Sequence, residues 1–235
     1  MLSVSGLEAR YGGARVLHGI TLDLRPGEVH AVLGRNGMGK TTLVRAVMGL
    51  GSPTVTAGEA RLGEVRLTGL PPHRIARLGV ALVPQGRRLF PSLSVAEHLS
   101  LFKPTGDAGR RWTAERVYSA FPRLAERRRH RGNQLSGGER QMLAVGRALM
   151  SDPRFVLMDE PSEGLAPVMV QALEAVVAEL RAEGMGILLV EQNLHSALAV
   201  ADRVSIIETG RVVHAAPVAE AAADTDALTR FLGVR

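Results

Sequence analysis

Residues 34–42 read GRNGMGKTT and match the spacing G-x-x-x-x-G-K-[ST], with Gly34, Gly39, Lys40 and Thr41 at the fixed positions. Glycines at this spacing let main-chain N–H groups turn inward, and a helix start behind them adds positive potential, so the chemistry is phosphate binding. Gly34, Arg35, Asn36, Gly37, Met38 and Gly39 would form the cradle, with Lys40, Thr41 and Thr42 opening the helix. The lysine is informative. Of 29 basic residues all but Lys40 and Lys103 are arginine. Lysine therefore stands where a compact charge must reach the β- and γ-phosphates, a task for which arginine's planar fork is no replacement. The Thr41 hydroxyl is a candidate ligand for Mg²⁺.

Two further stretches carry chemistry. FVLMDE (155–160) ends an apolar run in two acids, and burying both is unfavourable without partners. A magnesium–nucleotide complex supplies them, with Asp159 on the metal's water shell and Glu160 taking a proton from the water that attacks the γ-phosphate. LSGGERQ (135–141) places Ser136, Gly137 and Gly138 at a helix start, which is a second anion site. One chain with two phosphate readers points to two molecules sharing nucleotides.

The elements that position these residues follow from periodicity. VHAVLG before the loop, GVALVP (79–84), RFVLMDE (154–160) and GILLVE read as short buried strands, and KTTLVRAVMGL has helical spacing. The first 33 residues and roughly 55–69 are β-rich. From about 86 to 150 the pattern is helical, with SVAEHLSLF, TAERVYSAFPRLAERRR and ERQMLAVGRALM, and another helix spans about 167–182. Strands alternating with helices imply an α/β fold with a mostly parallel sheet, and the 86–150 block reads as an inserted helical subdomain.

Composition narrows the classes. With 46% hydrophobic and 22% charged residues over 235 positions, the chain can bury a proper core as one large domain. No apolar stretch reaches transmembrane length, the N-terminus lacks a signal-peptide pattern, and the absence of cysteine excludes disulfides. The net charge of +6 suits an anionic partner, but the chain-wide arginine bias makes basic ERRRHR (126–131) a solvated face and no nucleic acid is expected.

On GRNGMGKTT, FVLMDE and above all LSGGERQ, the chain resembles the ABC ATPase family over nearly its whole length. LSGGERQ argues against a soluble P-loop kinase or G protein. The resemblance implies a P-loop NTPase core, an N-terminal antiparallel β-subdomain and ATP with Mg²⁺ as ligands. It further implies head-to-tail pairing of two cassettes, in which Leu135, Ser136, Gly137, Gly138 and Glu139 contact the partner's ATP. Tyr11 then lies where an aromatic ring stacks on adenine, and Gln85, ending GVALVP, where a glutamine senses Mg²⁺ and the attacking water. Gln192, in LLVEQN, takes the place where most members carry a γ-phosphate-binding histidine. An amide can donate there but cannot become cationic. His195 belongs to the surface of the helix that follows.

Two positions depart from the common pattern: Ala166 stands where many members have aspartate, and Glu163 where leucine is commoner. The Gln-Asn pair and GLAP resemble one of the two ATPase subunits of branched-chain amino acid importers, which makes Gln192 and Ala166 subfamily traits. ATPases of urea or short-amide importers are closely similar, and a non-transport ABC protein acting on nucleic acid or ribosomes is the remaining alternative. The implied partners are a second ATPase subunit, identical or not, and membrane permease subunits docked on GRRLFPSLSVAEH. A solute-binding protein would be an indirect partner. The implied location is cytoplasmic, on the inner face of the cell membrane.

Overall fold

The computed structural model describes residues 1–86, 88–101 and 111–223. Arg87, the 102–110 stretch that contains Lys103, and 224–235 lie outside the described residues, and the first two belong to the segment expected to be helical. The chain opens with β1 (Leu2–Tyr11), β2 (Ala14–Leu24) and β3 (Val29–Leu33), then α1 (Lys40–Val47). Next come β4 (Thr54–Leu62), β5 (Val65–Arg66), α2 (Pro72–Arg77) and β6 (Val80–Val83). Helices α3 (Val95–Ser100), α4 (Ala114–Ala120), α5 (Pro122–Glu126) and α6 (Gly137–Leu149) precede β7 (Phe155–Asp159). The rest alternates: α7 (Pro167–Ala182), β8 (Gly186–Glu191), α8 (Leu194–Val200), β9 (Arg203–Glu208), β10 (Arg211–Pro217) and α9 (Val218–Ala223).

Two sheets organise these strands. One is antiparallel, in the order β2-β1-β4-β5; the other has six strands in the order β10-β9-β3-β8-β7-β6, parallel except for β10. Strands β3, β7 and β8 are buried along their whole length, which is why they read as unbroken apolar runs and not as alternations. Their side chains nevertheless divide by parity. Ala31, Met158 and Leu189 face a core shared with α6, α7 and α8; Val32, Leu157 and Val190 face one shared with α1 and the antiparallel sheet.

Helices α3 to α6 pack among themselves between β6 and β7, two strands that are sheet neighbours. TAERVYSAFPRLAERRR, expected as one helical stretch, is divided at Phe121. There φ is −128° and ψ 76°, because Pro122 offers no N–H and restricts the residue before it. Gly146 lets α4 close on α6, since a Cβ there would stand 2.6 Å from Val117 Cγ1. Buried Trp112 seats this cluster, with the Arg116 guanidinium 4.2 Å above its ring.

Parallel register brings four strand exits to one edge. Leu33 pairs with Glu191, Val190 with Asp159, and Met158 with Val83. Gly34, Gln192 and Glu160, which directly follow three of these strands, and Gln85, two residues beyond Val83, therefore emerge side by side, the position at which open α/β sheets bind ligands.

Candidate active site

The 34–42 loop leaves β3 and closes on α1. Gly39 is left-handed with φ +104°, and a Cβ there would lie 3.0 Å from Leu17 Cδ2, so a side chain is doubly disfavoured. A Cβ on Gly34 would lie 2.4 Å from the Ile207 carbonyl oxygen on β9, so that glycine serves close approach of two backbones. Met38 turns away from the loop's open side: its N–H meets Arg35 O and its carbonyl accepts from Gly210 N–H at 2.9 Å. A cleft of 210 Å³ remains, lined by Asn36, Gly37, Gly39, Lys40, Thr41, Thr42, Gln85 and Glu160.

Lys40 is only 3% exposed, and its ammonium is fully engaged. It donates to Gly34 O at 2.6 Å and Arg35 O at 3.1 Å, and pairs with Glu160 Oε1 at 3.0 Å. The other carboxylate oxygen of Glu160 accepts from Gln85 Nε2 at 2.8 Å, and the same amide donates to Glu163 Oε2 at 3.1 Å. Lys40, Glu160, Gln85 and Glu163 thus form one connected series, of which the first three line the cleft. Glu160 has φ +49°, an uncommon value for a side chain of this size, and its N–H is fixed to Val190 O at 2.8 Å.

Asp159 lies beneath, 3% exposed, and accepts from the Thr41 hydroxyl at 3.0 Å. Burial chiefly, opposed by the Thr41 hydrogen bond and reinforced by the nearby Glu160 charge, pushes its carboxyl up to about 6 from 3.8. Among the described residues no three His, Cys, Asp or Glu side chains gather into a metal cage. One hydroxyl and one carboxylate instead suit Mg²⁺, which keeps waters and takes further oxygens from substrate phosphates.

The LSGGERQ signature segment (135–141) starts α6. Ser136 Oγ accepts from Glu139 N–H at 3.2 Å and Glu139 Oε2 accepts from Ser136 N–H at 2.7 Å, a reciprocal capping box that leaves the N–H groups of Gly137 and Gly138 unused by it. Leu135 is buried, and Gly138 admits Met169 of α7, whose Cε would lie 2.9 Å from a Cβ there. Arg140 and Gln141, next along the helix, line a second cavity of 430 Å³ together with Glu160 and Glu163.

The structure therefore brings the loop, Asp159, Glu160 and Gln85 together. Tyr11 and Gln192 do not line the cleft. Tyr11 is 37% exposed at the β1–β2 turn, on the hairpin whose Leu17 abuts Gly39, and Gln192 is exposed at the exit of β8, as is His195 on α8. Sequence reasoning passed over Glu191, buried at 3% within the otherwise apolar β8. Its signal was an acid inside a strand core, masked by the two amides that follow.

A parallel-sheet cassette with a phosphate loop, an acid pair and a capped signature helix defines an ATP-binding class of proteins. The family model described as ABC transporter matches residues 17–163, and the chain belongs to that family. It is 42% identical over 216 residues, 91% of each chain, to BraG of Pseudomonas aeruginosa, a high-affinity branched-chain amino acid transport ATP-binding protein. It is 35% identical over 214 residues, 90% of each, to the probable branched-chain amino acid transport ATP-binding protein LivF of Archaeoglobus fulgidus. A solved ATP-binding subunit of an ABC transporter, 28% identical, matches with TM-score 0.80 over 100% of this chain and 94% of that one. This chain is an ABC transporter ATP-binding subunit, an ATP-hydrolysing transport ATPase.

Proposed function

We propose that this chain powers uptake of branched-chain amino acids by hydrolysing ATP against the Lys40–Glu160–Gln85 series. The observation that carries the chemistry is Glu160, whose carboxylate joins Lys40 at 3.0 Å and Gln85 at 2.8 Å in the lining of the cleft. ATP phosphates lie on the N–H groups of 35–42, and adenine stacks on Tyr11. As the γ-phosphate enters, Lys40 exchanges Glu160 for phosphate oxygens and the freed carboxylate turns to a water. That water attacks the γ-phosphorus, its proton passes to Glu160, and the bond from γ-phosphorus to the bridging oxygen breaks to release ADP and phosphate. Thr41 and Asp159 would hold Mg²⁺, which when bound would neutralise charge on the phosphoryl oxygens. Gln85 orients the water, and the Gln192 amide donates to the γ-phosphate.

The same reading assigns residues 135–139 to the nucleotide of a second cassette, identical or not. It assigns the helical subdomain of about 86–150 to contact with membrane permease subunits at the cytoplasmic face, with a solute-binding protein acting beyond them. The solute assignment rests on the likeness to BraG and LivF. A nucleic-acid role is not favoured, because Arg127 pairs with Glu139 at 3.5 Å and Arg128 lies 5.8 Å over Tyr118, so the basic stretch has partners on its own surface.

The test is affinity capture of this chain from gently solubilised native membranes, followed by vesicle reconstitution and uptake of radiolabelled leucine. Permease subunits and ATP-dependent leucine uptake are expected. Uptake of urea or acetamide without leucine would redirect the solute assignment, and recovery of ribosomes or DNA without permease would overturn the transport role.

A further inference from the structure

Strand β8 has one charged side chain, Glu191, and it is buried where a carboxylate is expensive without compensation. Its compensation comes from Ser162, through side chain and main chain, and from the main chain of Gln192 and Asn193. Oε1 accepts from the Ser162 N–H at 3.0 Å and Oε2 from the Gln192 N–H at 3.2 Å. Burial raises its proton affinity above the ordinary value, and the hydrogen bonds from Ser162, Gln192 and Asn193 work against that rise.

The two amides belong to different loops. Ser162 lies two residues beyond Glu160 in the turn after β7, and Gln192 begins the turn after β8. One carboxylate therefore sets the distance between the turn that carries Glu160 and the main chain that carries Gln192. A second clamp lies beside it, the bond from Glu160 N–H to Val190 O at 2.8 Å. Between them they grip the strained φ +49° of Glu160 on either side, and such a conformation persists only where its surroundings over-determine it.

A purely structural strand end would be served as well by an apolar side chain with water on the turn. A bidentate anion spanning two turns does something an apolar residue cannot: it makes them move together.

We propose that Glu191 is a positioning residue for hydrolysis, locking the Glu160 turn to the Gln192 main chain so that displacement of either is felt by the other. It does not line the cleft and touches no phosphate-binding residue of the 34–42 loop among its hydrogen bonds. Its removal should therefore spare nucleotide binding and impair turnover. The inference rests on Glu160 acting as the base and is independent of the transported solute.

The experiment compares wild type, Glu191→Gln, Glu191→Asp, Gln192→Ala and the double variant Glu191→Gln/Gln192→Ala, with Glu160→Gln alongside. ATP turnover is followed by phosphate release and nucleotide affinity by a separate titration. Glu191→Gln presents an N–H₂ to one of the two amides, so kcat should fall roughly 10- to 100-fold, the loss typical of a misplaced catalytic group. ATP affinity should stay within about twofold, the pattern of an interaction that matters in the transition state. Glu191→Asp, which keeps the anion, should recover part of the rate, and the double variant should be no slower than the slower single variant. Turnover of Glu191→Gln within about twofold of wild type would overturn the proposal, as would equal losses of kcat and affinity. Failure of both Glu191 variants to accumulate as folded protein would also overturn it, by making the residue a fold determinant. Sustained hydrolysis in Glu160→Gln would remove the base and, separately, the premise.

Discussion

Replacing Glu160 by glutamine should have opposite effects on binding and on turnover, and the Lys40 contact gives the size of the first. Lys40 and Glu160 are 3% and 7% exposed and 3.0 Å apart. At an effective dielectric constant near 20, the gross attraction at that distance is about 5–6 kcal/mol, most of it offset by the desolvation of both groups. The part a phosphate must displace is one charge-assisted hydrogen bond, about 1.5–3 kcal/mol. Glutamine keeps the shape and the bond from Gln85 but removes the competing anion from Lys40. ATP should then bind roughly 10- to 100-fold tighter than to wild type. Hydrolysis should disappear with the base, and without nucleotide the variant should unfold at lower urea, because a buried ammonium has lost its counter-charge. Isothermal titration with ATP and Mg²⁺, a phosphate-release assay and urea melts with and without ATP measure all three. Unchanged or weaker ATP binding would refute the competition between Glu160 and phosphate. Near-normal hydrolysis would refute the base.

Three further outcomes follow from the same geometry. Asp159 titrates near 6 in the fold against 3.8 ordinarily, so between those values the native state holds the extra proton. Stability contributed at pH 4 is lost as pH rises, and the penalty is complete above pH 6; the 2.2-unit difference (6 − 3.8) corresponds to about 3 kcal/mol as an upper figure. Asp159→Asn, which can still accept from Thr41, should therefore gain stability in EDTA at pH 7 and none near pH 4, as read from urea midpoints. Gly34→Ala puts a Cβ 2.4 Å from Ile207 O on a neighbouring strand that cannot retreat, so it should lower stability by about 1–3 kcal/mol and weaken ATP binding. Gln192→Ala should slow hydrolysis by about tenfold, the worth of one hydrogen bond to a charged group, whereas Gln192→His should stay nearer wild type; equal rates for all three would make the position a turn.

Much of this site was legible because its parts are local. The 34–42 spacing, the acids ending FVLMDE and the helix start at Ser136 each bring their own backbone context, and the structure lines one cleft with loop residues and Glu160 while Asp159 bonds Thr41 of that lining. The helical break at Phe121 was less visible: the apolar spacing of TAERVYSAFPRLAERRR continues across Pro122, while the missing N–H interrupts the hydrogen-bond ladder. Glu163 could be seen as a departure from pattern, but not as a second acceptor for the Gln85 amide. That relation joins residues 78 positions apart and depends on where the β6 exit lies relative to the turn after β7.

Strand order explains why the two-turn bonding of Glu191 could not be read from the chain. Alternating strands and helices imply a parallel sheet but leave open which strand lies between which. Here β8, the latest of the four in sequence, inserts between β3 and β7. That insertion puts Val190 O within reach of Glu160 N–H and Glu191 within reach of Ser162 N–H. Had β8 lain beyond β3, the turn after β7 would have been a strand's width, about 4.8 Å, further away. A buried acid there would then have had only its own turn to bind. The crossover thus converts an ordinary strand ending into a link between the acid turn and the amide turn, and the polar exit of GILLVEQNL is two devices side by side: a buried anion facing main chain and an exposed amide facing solvent.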